Sequence, residues 1–114
     1  MKTKKYKIPV GVYDSTVYLV LSDNPDKTYK TLAKKYNWFE EDDEETNSAY
    51  FNSTSDFEYF IVMPFNPGIV TIAHEALHGT FAILKDHGVT LSPDSEEAFT
   101  YLHDFLVGKI QDKL

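Results

Sequence analysis

Residues 71–80 read TIAHEALHGT, with His74 and His78 four positions apart and Glu75 directly after the first histidine. Successive residues of an α-helix turn by about 100°, so on a helix the two imidazoles stand about 40° apart on one face. Both can then reach a single cation at the ~2.0–2.1 Å of a zinc–imidazole bond. Glu75 sits about 100° from His74, beside the pair and off the line of ligands. From there its carboxylate can hold a water on the metal without filling a coordination position, which is the physical content of the H-E-x-x-H pattern. The chemistry such a group supports is hydrolysis by an activated water.

A catalytic zinc takes three protein ligands and keeps one position open. The chain has no cysteine, so thiolate ligands and disulfides are both excluded. The continuation H-E-x-x-H-x-x-G-x-x-H fails, because Phe81 and Leu84 stand where it needs glycine and a third histidine. His87 would be turned about 180° from His78 on the same helix, where it is expected to stabilise the helix C-terminus. His103 falls in the last helix and is expected there as a partly exposed histidine. The remaining donors are Glu96 and Glu97. They follow His78 closely enough for one helix to end, the chain to turn at HGVTLSP, and the next helix to return antiparallel. Neighbouring helical residues point about 100° apart, so only one of the two can be the ligand, and periodicity does not choose between them. Each also fits a favourable charge at a helix N-terminus, or the far end of a capping box from Asp94 to Glu97.

The elements that must position these residues are legible in outline. VGVYDSTVYLVLSD carries β-branched and aromatic residues around an Asp14-Ser15 turn signal and reads as one or two strands ending near Asp23. DNPDKTYKTLAKKYN opens with Asp23 or Asn24 as cap and Pro25 in the first turn, with a narrow stripe of Leu32, Ala33 and Tyr36. The carboxylate run at residues 40–45, EEDDEE, lacks the alternating ligands and turn glycine of a calcium loop and reads as a solvated loop. SAYFNST and FEYFIVMPF follow as strands, with STSD as the turn between them.

From residue 68 to 87 the pattern is helical, and Gly88 is placed to end it. Val70, Ala73, Leu77, Phe81 and Leu84 form its expected apolar arc. The small Thr71, Gly79 and Ala82 beside the His-Glu face would leave clearance for a substrate. In the last helix Ser92 is the expected cap and Pro93 the first residue. It runs to about Lys113, with Ala98, Leu102, Phe105, Leu106 and Ile110 on one face. The expected architecture is a single α+β domain over residues 1–114, in which a short mixed or antiparallel sheet and one leader helix precede two long helices that carry the site.

Composition removes several alternatives. Aromatics make up 15% of the 114 residues and hydrophobic residues 42%, which predicts a packed globule. Net charge is -7, all eleven basic residues are lysine, and arginine is absent; nucleic-acid binding is therefore not expected. Lys2, Lys4, Lys5 and Lys7 read as a solvated, mobile terminus. No apolar run approaches the ~18 residues of a membrane span, and MKTKKYKIPV lacks the features of a secretory signal. The protein is expected to stay in the compartment where it is made, without membrane contact.

The segment from PGIVTIAHEALHGTF through SPDSEEAFTYLHDFL resembles small zinc peptidases encoded by bacteriophages and prophages. More distantly it is similar to the peptidases that inactivate phage repressors, and to the wider zincin group whose third ligand is a glutamate. In those patterns the ligand glutamate directly precedes an alanine, and an aromatic follows within a few residues. Glu97-Ala98 with Phe99 and Tyr101 matches, so the resemblance implies Glu97 as third ligand, with Glu96 in reserve. It covers roughly residues 67–107, and the Asn-Glu-x-x-x-Asp form of larger relatives is lacking, so the residue that would orient His74 has no counterpart here. The resemblance implies a zincin-like fold and a metallopeptidase with Zn2+ held by His74, His78 and Glu97. Glu75 would be the catalytic base and a peptide or protein the substrate. Tyr101 or Tyr59 is the candidate to stabilise the oxyanion, and FEYFIVMPF the candidate edge strand for an extended substrate. The alternative is a zincin framework that keeps zinc without turnover, as a virion component or host-directed inhibitor. Phage origin would place either in the host cytoplasm or the virion.

Overall fold

A computed structural model describes residues 1–38 and 49–114; the acidic run at residues 40–45 lies outside the described residues. β1 (Thr3–Val10) turns through a single 3-10 turn, Gly11–Tyr13, and pairs antiparallel with β2 (Ser15–Ser22) along its whole length. The turn closes on Asp14, which takes the left-handed conformation that a short polar side chain tolerates. β2 pairs parallel with β4 (Glu58–Met63), and β4 pairs antiparallel with β3 (Tyr50–Ser53), giving a mixed sheet in the order β1-β2-β4-β3. The parallel step is bridged by α1 (Pro25–Tyr36). The Asn24 side chain caps this helix by accepting from the Lys27 amide at 3.2 Å, and Pro25 occupies its first turn, as expected.

Two expectations about the sheet are corrected. The lysine-rich terminus is an ordered edge strand rather than a mobile tail. Ile8 and Val10 point into the core while Lys5 and Lys7 alternate to the opposite face, and Lys5 places its ammonium 4.4 Å from the Tyr18 ring centroid. Lysines along an edge also discourage pairing with a further strand. The second correction concerns FEYFIVMPF, which forms an interior strand. β4 lies between β2 and β3, and Tyr59 through Met63 are all buried; a strand covered on both faces reads as a continuous apolar run. Among the described residues the end strand on that side is the shorter, more polar β3.

α1 covers one face of the sheet through an aromatic cluster in which Tyr36 and Trp38 pack on Phe60. The other face is the main core. Val17, Leu19, Leu21, Tyr59, Ile61 and Met63 meet α2 (Ile69–Asp86) and α3 (Glu96–Asp112) there. α2 ends in a Schellman motif, with Val89 N–H on the Leu84 carbonyl at 2.8 Å, Gly88 N–H on the Lys85 carbonyl at 3.0 Å, and Gly88 at φ +76°. Among the described residues these four strands and three α-helices make a small α+β domain, and no helix is long and apolar enough to cross a membrane.

The buried arc of α2 is also corrected: Ile72, Ala76, Gly79, Thr80, Ile83 and Leu84 face inward, while Val70, Leu77 and Phe81 are exposed. The helix is apolar almost all round, so its pattern supports more than one arc. The close approach of α3 selects the observed one, because a Cβ on Gly79 would lie 3.3 Å from a Leu106 methyl. α3 begins at Glu96, later than expected. Ser92 and Pro93 form a turn in which the Ser95 amide donates to the Ser92 carbonyl at 3.1 Å, and the Ser95 hydroxyl turns back to the Thr90 carbonyl. Phe99, rather than Ala98 or Phe105, joins Leu102, Leu106 and Ile110 in the core.

The end of α2 is tied to the sheet by the Tyr59 hydroxyl, which donates to the Asp86 carboxylate at 2.6 Å. Burial, and then that carboxylate, push the Tyr59 phenol well above its ordinary range. The folded chain therefore keeps this proton more tightly than the unfolded chain does. The resulting stability is complete below the ordinary phenol value of about 10 and is lost as pH rises above it. Tyr59→Phe should cost about 1 kcal/mol at neutral pH and reduce the alkaline decline in Tm. Melting curves collected from neutral to alkaline pH check both effects.

Candidate functional site

His74 and His78 project from the second and third turns of α2 on its exposed side. Their Nε2 atoms are 3.1 Å apart, and the rings meet edge-on with centroids 4.8 Å apart. Phe51, on β3, stacks on the His78 ring at 5.9 Å and 15°, so the sheet edge fixes one imidazole of the pair. Glu75 is turned the other way, into the protein, and is only 5% exposed. Its Oε1 lies 4.0 Å from His74 Nε2, while Oε2 is buried without a hydrogen-bond partner among the described residues. Such orphaned atoms are uncommon because a buried acceptor without a partner forfeits its hydration.

These three side chains floor a cleft of about 450 Å³, walled by Ala49, Tyr50 and Phe51 on one side and by Val70 and Thr71 on the other. Burial raises the Glu75 carboxyl above the ordinary carboxylate range, with His74 partly opposing. Burial, assisted by His74, holds the His78 imidazole below its ordinary value, which favours the neutral form that ligates metals. A cation at zinc–imidazole distance from both Nε2 atoms would see them at about 100°, close to the tetrahedral angle. The histidine pair fits zinc, and the orphaned oxygen beside it is where the pattern needs a base.

The third ligand does not join them. Among the described residues no three histidine, aspartate or glutamate side chains gather at one point. Glu97 and Glu96 are both exposed in the first turn of α3. There Phe99 packs against Phe81 of α2, with ring centroids 5.3 Å apart. Two helical positions amount to about 200°, so Glu97 projects from the side opposite Phe99, whereas Glu96, about 60° from Phe99, shares its side. His103 donates from Nε2 to the Ala73 carbonyl at 3.0 Å, beside the motif but outside the cleft. His87 donates from Nδ1 to the Ile83 carbonyl at 2.7 Å and caps the helix end, as its position predicts.

Neither tyrosine candidate for the oxyanion reaches the cleft. Tyr59 is committed to Asp86 beneath the sheet, and Tyr101 is exposed along a second hollow with Val12 and Phe105. The tyrosine that does line the cleft, Tyr50, directs its hydroxyl to Asp26 at 2.7 Å. Of the small residues expected to give clearance, only Thr71 does so. Gly79 lies under Leu106, and Ala82 packs against the core. β3 forms within SAYFNST, as its sequence predicts; that it walls the cleft follows from its antiparallel pairing with β4, which no local signal specifies.

The folded chain holds the Glu75 proton more tightly than the unfolded chain does. Its stabilising contribution is thus complete at acid pH and lost as pH rises through the raised value; His78 acts oppositely, losing its contribution as pH falls below the ordinary imidazole range. Removing only the acidic group should therefore help near neutrality. After treatment with a chelator, Glu75→Gln should melt above the parent protein at about pH 7, with a flatter profile from there down to about pH 5. A lower Tm for the variant would mean that the carboxylate already has a partner.

No protein-family model, no curated protein and no solved structure matches the chain.

Proposed function

We propose that the protein is a zinc-dependent peptidase of the zincin type. The observation that carries this reading is the Glu75 carboxylate, buried and half unpartnered, beside two Nε2 atoms spaced to share one cation. His74 and His78 would hold the metal, and Glu97, or Glu96 in its place, would complete the ligand set from α3. Zinc, when bound there, supplies Lewis-acid polarisation of a carbonyl and a lowered pKa for water. Glu75 takes the proton of the attacking water and later delivers it to the leaving amine. Burial suits it to this work, since a base operates best with its pKa near the working pH. The β3 edge favours a peptide over a compact substrate. Among the described residues β3 is the end strand of the sheet and walls the cleft, where an extended chain would add as a further strand.

A second reading, in which zinc is held without turnover, is favoured by the histidine pair having no third carboxylate beside it among the described residues. One comparison separates the two. For a peptidase, Glu75→Gln retains zinc and lowers hydrolysis of an unstructured protein such as casein by at least ~10²-fold. His74→Ala loses metal and activity together. Zinc-loaded parent protein that cleaves no peptide, with Glu75→Gln leaving its metal content unchanged, would favour the non-catalytic reading.

A further inference from the structure

Within α2, from residue 69 to 84, Glu75 is the only charged side chain, and it is buried. The exposed side carries Ile69 (55% exposed), Val70 (80%), Leu77 (44%) and Phe81 (43%) around His74 and His78. A quarter of the chain is charged, with 18 carboxylates against 11 lysines, so a solvent-facing helix with four turns free of fixed charge is out of keeping with the rest of the surface. Depletion of charge around apolar side chains is the compositional mark of an interface centre.

The metal donors on this face are half of a tetrahedral set: two imidazole nitrogens 3.1 Å apart, with no third ligand beside them among the described residues. We infer that a second copy of the chain supplies the other half, forming a two-fold dimer in which one zinc is shared by His74 and His78 of both protomers. Three features favour a second copy over an unrelated partner. A two-fold axis through the cation turns the pair into four ligands without any new residue type. A two-fold interface must be self-complementary, which an uncharged face satisfies and a face of single sign does not. The repulsion between two chains of charge -7 is smallest where the contact excludes fixed charge, and the cation itself offsets part of it.

This inference rests on the zinc-binding half of the function proposed above and goes beyond it. Four imidazoles leave no open position, so the shared site is a resting form and hydrolysis belongs to the separated chain.

The test is a titration of zinc chloride into the chelator-treated 114-residue chain, followed by sedimentation and metal analysis. The expected result is one zinc per two chains with a doubling of the 13.1 kDa mass, reversed by EDTA and absent in His78→Ala. Leu77→Lys, which places a charge on the exposed face without touching the core, should fold normally by circular dichroism and weaken zinc-dependent pairing at least ~10-fold. Uptake of one zinc per chain at constant mass would overturn the shared site. Loss of that uptake in Glu97→Gln or Glu96→Gln would then leave the peptidase reading intact, with its ligand from α3. Pairing that persists in EDTA or in His78→Ala also overturns the inference, and no zinc uptake at all overturns both.

Discussion

The rotational setting of α2 on the sheet governs the chemistry this protein can present. Gly79 admits α3 to van der Waals contact, and Ile72, Ala76 and Ile83 fill the space above β2 and β4. With that face committed to the core, helical geometry leaves no freedom at the neighbouring positions. Glu75 is drawn beneath the surface, and His74 and His78 are left facing solvent. The Tyr59–Asp86 bond at one end of the helix and the stacking of Phe51 on His78 hold the same setting from the sheet side. A carboxylate made basic by burial and two imidazoles kept accessible are thus consequences of one packing arrangement.

Much of this was legible in the residues, and the failures share a cause. Helix ends were read well where the signal is local: Asn24 with Pro25 at the start of α1, and Gly88 closing α2. The i,i+4 histidines were legible for the same reason, since helical spacing alone brings their nitrogens together. The features that local sequence does not specify depend on contacts distant in the chain. The lysine-rich terminus becomes β1 only because β2 offers it a full-length partner. The rotation of α2 is undetermined in a helix apolar on most sides until α3 is placed. α3 itself begins after its first proline-containing turn because Ser95 spends its hydroxyl on Thr90 and not on a helix amide.

The third ligand is the point at which sequence and geometry part. Resemblance points to Glu97, while the contact of Phe99 with Phe81 turns that residue away from α2 and leaves Glu96 on the nearer side. In a domain of 114 residues, a cation linking elements contributes a sizeable share of the stabilising free energy. If zinc is held there, the identity of its further donors would bear on folding and assembly as well as on the proposed hydrolysis. The cleft beside β3 and the uncharged exposed side of α2 adjoin at the histidines, so occupancy of one constrains the other.

The proposed centre requires that His74 and His78, and not the other two histidines, grip one zinc through Nε2. Long-range ¹H–¹⁵N NMR of the imidazoles, recorded on chelator-treated protein before and after addition of zinc, tests it most directly. Zinc held by this pair would move the Nε2 signals of His74 and His78 to metal-bound shifts while those of His87 and His103 stay in place. Equal movement of all four histidines, or of none, would contradict it.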